Sequence, residues 1–473
     1  MTDPSFGSET GFHVADQLRR LKVPGPWEVL GEQVERYEVH FLGSRPELLR
    51  SPLRVGGVGI RLFRPDGDAV RVGYAATSDL AESSIRATVE DAEASARHAR
   101  FPAPCPELPS SSAGAPSVSS ADRAAWESPQ DSMEAFSTML VDAMDGRGNV
   151  RPSFGSLSLN LAETTLANSA GLAHRASRTE TALEFALTAS GGPEGRPPGE
   201  YWAPPQMATR LDASALAVHV DDWCRKAEEI RRAEPLRGGP QSVVLPPRVL
   251  ADVLPAILGF RFSGAAAMRQ IAPAPGDVVA AEGISLVDDG LLPRALGSSS
   301  LDTEGIPQRR RALIQKGACV ELLRDLLHGS VAGGTGSSGN GLRYGIEYAE
   351  PAQFTTPPGT VATTLVVTPG DLGSDVEIAE VAHDGIWVDQ LGYAFPDGLS
   401  GAFGGELRLG YRIQNGRIGG PVHGGTIGGL ALAPPGTPSL LGGVIGIGRT
   451  TARPAHLDTP AIVSNGLTVA GAG

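Results

Sequence analysis

The chain has 473 residues, 41% hydrophobic and 20% charged, with a formal net charge of -13. That length is a prior for two or three domains and gives enough chain to bury a core without disulfides or metals. The acidic balance argues against a nucleic-acid surface, which needs clustered Lys and Arg, and the densest basic run, Arg309-Arg310-Arg311, reads as a solvated strand end.

Val34 to Phe41 alternates as a strand does, and Arg54 to Phe63 and Ala69 to Ala76 are β-rich. Asp79 to Arg100 predicts a helix with Leu80, Ile85, Val89 and Ala92 near one face. Residues 1–101 are thus expected to form a small α+β unit. Residues 102–130 are rich in Pro, Ser and Ala and read as a linker or surface excursion. Asp131 to Asp145 predicts a second helix. Ser156 to Leu161, Thr164 to Asn168 and Leu183 to Ala189 predict a β meander. Asn168-Ser-Ala-Gly-Leu172 suits a hairpin turn, because Asn and Gly tolerate positive φ. Asp212 to Glu234 predicts a long helix with Leu216, Val220, Trp223 and Ala227 on one side, ended by Pro235 and Gly238-Gly239-Pro240. A central meander and helix therefore occupies 131–236.

Beyond that boundary, Gln241 to Leu245 reads as a short buried strand. Val249 to Phe260 reads as an apolar helix disturbed at Pro255. From Ala312 onward short strands are separated by Gly and Pro, so 237–473 is expected to be a β-rich domain. The fold class is α+β: an N-terminal α/β region with a mixed or antiparallel sheet and helices, then a curved antiparallel sheet or barrel-like domain.

The residues give little support to autonomous catalysis. The nine histidines are His13, His40, His98, His174, His219, His328, His383, His423 and His456, and the closest two, His13 and His40, are 27 positions apart. No helix can therefore supply two histidine ligands, as zinc peptidase sites commonly do. Cys105, Cys224 and Cys319 are odd in number and widely spaced, which suggests neither a disulfide framework nor a zinc ribbon. No Gly-x-Ser-x-Gly elbow occurs. The glycine-dense run from Ala332 to Gly341 lacks the Lys-Ser/Thr end of a phosphate loop and reads as a flexible loop over a cleft. Asp288-Asp289-Gly290 reads as an acidic turn, with a divalent-cation half-site as the alternative. Met1 to Gly11 carries Asp3 and Glu9 and no apolar run, and no stretch of 18 apolar residues occurs, so a soluble, cytoplasmic protein is expected.

Several C-terminal segments form an ordered series. Asp288-Asp-Gly290 precedes Gly297-Ser-Ser-Ser-Leu-Asp-Thr-Glu-Gly-Ile-Pro307, then Ala312-Leu-Ile-Gln-Lys-Gly317 and Thr363-Thr-Leu-Val-Val-Thr-Pro-Gly-Asp371. Gly410-Tyr-Arg-Ile-Gln-Asn-Gly-Arg-Ile418, Pro421-Val-His-Gly-Gly-Thr-Ile-Gly-Gly429 and Asn465-Gly-Leu-Thr-Val-Ala-Gly471 follow. In this order and spacing the series resembles the TldD/PmbA family, also known as modulators of DNA gyrase. The front half fits the family more loosely.

The resemblance implies two paired subunit types. The TldD-like type carries His-Glu-x-x-x-His on a helix, with a cysteine near the C-terminus completing a zinc site. The PmbA/TldE-like type lacks both. Here the corresponding helix, about Val249 to Gly264, has no His, Glu or Cys, and Leu254, Pro255 and Leu258 stand about where ligands and base are needed. The last cysteine is Cys319. Apolar side chains cannot hold or acidify a zinc-bound water. No catalytic or metal residue is carried over.

The expectation is a zinc-free subunit of a heterodimeric metallopeptidase. It has no cofactor of its own, pairs with a zinc-bearing TldD-like partner, and helps to enclose a chamber for unfolded peptide or a natural-product precursor. It involves neither nucleic acid nor membrane. The peptide would bind as an added strand. Candidate groove residues are Asp288, Asp289, Ser298, Arg309, Phe403, Gly404 and His423, with Gly297 to Pro307 and Ala402 to Gly410 as the segments. Two alternatives stand beside it: a stand-alone regulatory protein of the gyrase-modulator type, or a divergent hydrolase using His423, His383 or Asp288-Asp289.

Overall fold

The computed structural model describes residues 9–42, 45–49, 52–99, 103–191, 198–210, 213–239, 241–329, 331–343 and 353–471. The first half is built on a nine-stranded antiparallel sheet. Its spine runs from Ala69–Thr77 through Leu53–Asp66, Trp27–Leu42 and Val150–Asn168 to Ala173–Ala189. Residues 27–104 and 150–208 share this sheet, so the segments expected as 1–101 and 131–236 are joined within it. The Pro/Ser-rich segment lies along it. Thr179 N donates to Ser120 O at 3.0 Å, and Asn168 Nδ2 donates to Pro109 O at 2.8 Å.

The two-residue period of the strands sorts the sheet faces. Trp27, Val29, Val58, Ile60 and Leu62 form a core with Val14 and Leu18 of the Thr10–Arg20 helix and with Ile85 and Ala92 of the Glu82–His98 helix. Farther along, Phe41, Leu159 and Phe185 pack against the helices Pro129–Met144 and Ala213–Ile230. The Thr10–Arg20 helix, absent from the sequence reading, sits close because two glycines meet. A Cβ on Gly31 would lie 2.4 Å from the Gly11 nitrogen. Asn168 to Leu172 makes the expected hairpin: the Asn168 Oδ1 accepts from the nitrogens of Ala170 and Leu172, and Gly171 has φ +105°. The three short strands of the expected meander are two long ones, Val150–Asn168 and Ala173–Ala189.

The second half is a 13-stranded sheet. It is mixed rather than purely antiparallel: Ser242–Leu245 runs parallel to Gly385–Gly392, and Leu365–Val367 parallel to Leu457–Ser464. The chain between the paired strands is long enough for the crossovers that parallel pairs require. The apolar stretch from Val249 forms two helices, Pro247–Ala251 and Leu254–Arg261. Pro255 lies in the first turn of the second helix, where no backbone donor is needed, so it starts a helix instead of bending one. Both helices feed the core with Leu245, Leu365, Val388 and Leu407.

A buried ion lattice fastens the halves together. On the face opposite the first two helices, Arg61 Nη2 lies 2.7 Å from Glu28 of the same sheet, and its Nη1 lies 2.7 Å from Glu304 of the second half. Arg343, also from the second half, donates to Glu28 at 2.8 Å and to the Tyr74 hydroxyl at 3.0 Å. Arg61, Glu28, Glu304 and Arg343 are all at most 2% exposed. Burial by itself would lower the Arg61 pKa, but the Glu28 and Glu304 carboxylates outweigh it and hold the guanidinium above its ordinary range. Gly57 and Gly59 keep this face open. A Cβ at Gly57 would sit 2.3 Å from the Phe354 ring, and one at Gly59 would sit 1.9 Å from the Tyr74 hydroxyl.

Removing one member of a buried pair leaves its partner charged and uncompensated. Arg61→Ala is therefore expected to cost about 3–5 kcal/mol in chemical denaturation. Arg123→Ala, which breaks the exposed pair with Glu127, is expected to cost less than about 0.5 kcal/mol. Equal losses in the two variants would contradict the lattice's role.

Candidate functional site

The ordered signature between Asp288 and Asn340 folds back on itself. Asp288 is buried: its Oδ1 accepts from Thr363 N at 2.7 Å and Thr363 Oγ1 at 2.9 Å, and its Oδ2 accepts from Asn340 Nδ2 at 2.7 Å. Burial pushes its pKa up to about 6, against the pull of these three donors. Asp302 Oδ1 accepts from the nitrogens of Glu304 and Ile306, both at 2.9 Å, and its Oδ2 accepts from Gly341 N at 2.9 Å. Burial, then the Glu304 charge, raises the Asp302 pKa. Glu304 accepts from Leu326 N at 2.7 Å through its second oxygen. Leu301 bridges to Pro307, forming a hairpin. Its tip, Gly305, has φ +87°, and a Cβ there would lie 2.2 Å from Leu172 of the first half. Asp288 and Asp302 pin backbone within the second half, and Glu304 joins the halves through Arg61.

Of the residues expected to line a groove, Asp288, Asp289, Ser298 and Arg309 share one region, joined by the Asp289–Arg310 pairing and the Gly290 N–Arg309 O bond, whereas Phe403, Gly404 and His423 lie on other strands. Asp288 does not face one, because its carboxylate is enclosed and fully partnered. Asp289 is also buried, and its Oδ1 accepts from Leu291 N at 3.0 Å, as an acidic turn requires. Ser298 is buried but lines a cleft between the halves, with its hydroxyl donating to Leu292 O. Arg309 is exposed at a strand end. Phe403 is buried, Gly404 half-buried and His423 exposed. Phe403 pairs with Gly429, whereas His423 follows Val422, which pairs with Gly410. Seven residues of strand, roughly 23 Å, separate those two positions.

Strand addition needs unpaired backbone groups. Ala402 to Gly410 has few to offer. Ala402 to Glu406 pairs with Thr426–Leu430, and Glu406 to Gly410 pairs with Gly385–Gly392. The nitrogens of Gly404 and Asp397 close the remaining side through Ala394 O and Ala402 O.

The position of the zinc helix is apolar. Leu254, Ile257, Leu258 and Phe262 are fully buried. These side chains carry no metal donor, so the residues present do not fit zinc. Among the described residues no three His, Cys, Asp or Glu side chains are placed to hold a metal ion. The histidines are scattered: His219 stacks on Trp223, His383 is paired with Asp384, and His456 Nδ1 is 2.9 Å from Thr363 O.

One pair has the look of a catalytic dyad. His328 Nδ1 lies 2.8 and 2.9 Å from the two Asp325 oxygens, and Asp325 also accepts from His328 N and from Thr360 Oγ1. The Thr360 hydroxyl lies 3.5 Å from the same His328 Nδ1 and already donates to Asp325, so the three side chains form a closed cluster. The loop from 325 to 328 is pinned by it. Burial lowers the His328 pKa, but the Asp325 contact prevails and raises it above 6.5.

The cleft that holds Ser298 was not foreseen. It lies between the first sheet and the 296–308 segment, has a volume of about 80 Å³, and contains His174 and Arg178. The available signal was the alternation His174, Ala176, Arg178, which puts all three on one face of a strand.

His328 favours its protonated form in the folded state. Its contribution is fully present below the unfolded value near 6.5 and is lost as pH rises through the higher folded value. His328→Gln is therefore expected to lose more stability at pH 5.5 than at pH 8, read from urea unfolding at both pH values. A pH-independent loss would contradict this assignment.

Comparison with known proteins follows the architecture. Residues 238–471 match the model described as the PmbA/TldA metallopeptidase C-terminal domain, and residues 27–96 match PmbA/TldA metallopeptidase domain 1. A metalloprotease TldD homolog from Buchnera aphidicola is 29% identical over 157 residues. That overlap is 33% of this chain and 30% of the relative, so the chain spans less than a third of that protein's length. The fold is similar to the crystal structure of TldE from Thermococcus kodakarensis, at TM-score 0.76 and 19% identity, covering 97% of this chain and 100% of that one. It is also similar to a Thermotoga maritima protein named as a modulator of DNA gyrase, at TM-score 0.77 and 16% identity, covering 98% and 99%. Two domain models of one family, in their proper order and spanning the larger part of the sequence, make this chain a member of the TldD/PmbA family.

Proposed function

We propose that this chain is the zinc-free subunit of a two-component peptidase, pairing with a TldD-like, zinc-bearing chain in the cytoplasm and helping to enclose unfolded peptide. The observation that carries this reading is the buried, donor-free helix Leu254–Arg261. A hydrolytic zinc site needs side chains that bind the ion and a carboxylate or imidazole that moves a proton. Leu254, Pro255 and Leu258 do neither and are committed to the hydrophobic core. The family's metallopeptidase character and the fold shared with the Thermococcus TldE support a paired role.

In this reading the chain contributes wall and support, and bond cleavage belongs to the partner. Of its own acidic signature, Glu304 ties the two halves together through Arg61, while Asp288 and Asp302 pin backbone within the second half. A peptide or natural-product precursor is the substrate class. Because Ala402 to Gly410 is already paired on both sides, this reading puts the added peptide strand elsewhere in the assembly.

The test is metal content and hydrolysis. The purified chain is expected to hold less than about a tenth of an equivalent of zinc, since it lacks the needed ligands. It should leave unfolded peptide intact, and mixing with a TldD-like chain should produce zinc-dependent cleavage above that chain's own rate. Stoichiometric zinc on this chain, or peptide hydrolysis by it alone, would overturn the proposal.

A further inference from the structure

The cleft between the halves is built unlike a packing defect. Its floor is one face of the first sheet: Leu30, Thr164, Leu166, His174, Ala176 and Arg178. Register puts Leu166 opposite Leu30 and His174, and Thr164 opposite Ala176, so the floor is continuous. The roof is the 296–308 segment, which supplies Leu296, Leu301 and Ser299. A volume of about 80 Å³ holds a small organic group or several waters.

The polar groups around it are chiefly donors. Arg178 spends one N–H on Glu32, at 3.3 Å, and a guanidinium has five. Ser299 and Thr164 are also in the lining, and His174 lies 3.5 Å from the Ser300 hydroxyl. Gln308 forms part of the wall and is 1% exposed. Its Oε1 accepts from Ser299 N at 2.9 Å, which fixes the amide's orientation, and its Nε2 is enclosed with no partner. The lining has one carboxylate, Asp302, and three backbone N–H groups already occupy it. Glu32 stands behind Arg178 and also accepts from Phe354 N. A guanidinium fork, hydroxyls and an aliphatic wall together suit one small ligand class.

We propose that this interlobe cleft binds an aliphatic carboxylate, with the carboxylate on Arg178 and the alkyl group between Leu30, Leu166, Leu296 and Leu301. The ligand is a peptide's C-terminal aliphatic residue or a free acid of the same kind. The peptide source rests on the peptidase reading, but the carboxylate site itself does not, so its test uses this chain alone and no cleavage.

Calorimetric titration with N-acetyl-Ala-Leu free acid, the matching C-terminal amide and isovalerate separates the cases. The free acid is expected to bind at least about ten-fold more tightly than the amide, because an ionic hydrogen-bonded contact is lost. Isovalerate binding as tightly as the peptide acid assigns the site to free acids, and weaker isovalerate binding assigns it to a peptide terminus. Arg178→Gln should reduce acid binding by at least about ten-fold. Because that change also leaves Glu32 without its arginine, Ala176→Leu supplies a second variant that fills the floor without touching a charge, and it should abolish binding with folding intact. Equal binding of acid and amide, no binding of either by the wild-type chain, or unchanged affinity in the folded Ala176→Leu variant would overturn the site.

Discussion

Arg61 lies at the point on which the architecture depends. It is a strand residue of the first sheet, and its guanidinium spans Glu28 beside it and Glu304 from the second half. Arg343 returns the tie by reaching Glu28 and Tyr74. Each of these charges is out of water, where an unpaired ion costs several kcal/mol. The lattice is thus stable only as a whole, and the two halves can meet only in the register that pairs it. Hydrophobic contact alone would allow sliding; buried ions and close glycines do not. Gly57, Gly59 and Gly341 are part of the same constraint, since a side chain at any of them would collide with a group of the lattice or its neighbours.

This constraint gives the acidic signature its meaning. Paired acids in a cleft commonly suggest a cation or general acid–base work. Here Asp288 holds Thr363 and Asn340, Asp302 closes a hairpin, and Glu304 meets Arg61. The raised pKa values of these carboxylates come first from burial and mark a structural cluster. A chain that has no zinc donors on its apolar helix can still keep this signature, because Asp288 and Asp302 order the second half and Glu304 ties it to the first.

Local patterns made much of this readable in the sequence. The Glu82–His98, Pro129–Met144 and Ala213–Ile230 helices and the Asn168 hairpin follow from periodicity and turn chemistry. The Leu254–Arg261 helix was visible as apolar, although Pro255 starts it and does not kink it. Long-range facts were hidden. Glu28 and Glu32 alternate with Val29 and Gly31 as in any half-exposed strand, and nothing local says that Arg343 will cover Glu28 or that Arg178 will reach Glu32. The parallel pairing of Ser242–Leu245 with Gly385–Gly392 joins strands about 140 residues apart, beyond the reach of local patterns. Phe403, Gly404 and His423 lie on strands away from Asp288, Asp289, Ser298 and Arg309 for the same reason: nearness along a motif is not nearness in a twisted sheet. His174 and Arg178, unremarkable in the sequence, share a cleft because a hairpin from the other half lies over their strand.

In the proposed role this chain completes a zinc-bearing partner and does not act alone. The most direct measurement is native mass spectrometry of the chain purified from its own cells, with peptide sequencing of whatever travels with it. The expected result is a hetero-oligomer whose second component carries His-Glu-x-x-x-His and the bound zinc. A stable monomer or homo-oligomer, free of any such component, would contradict it.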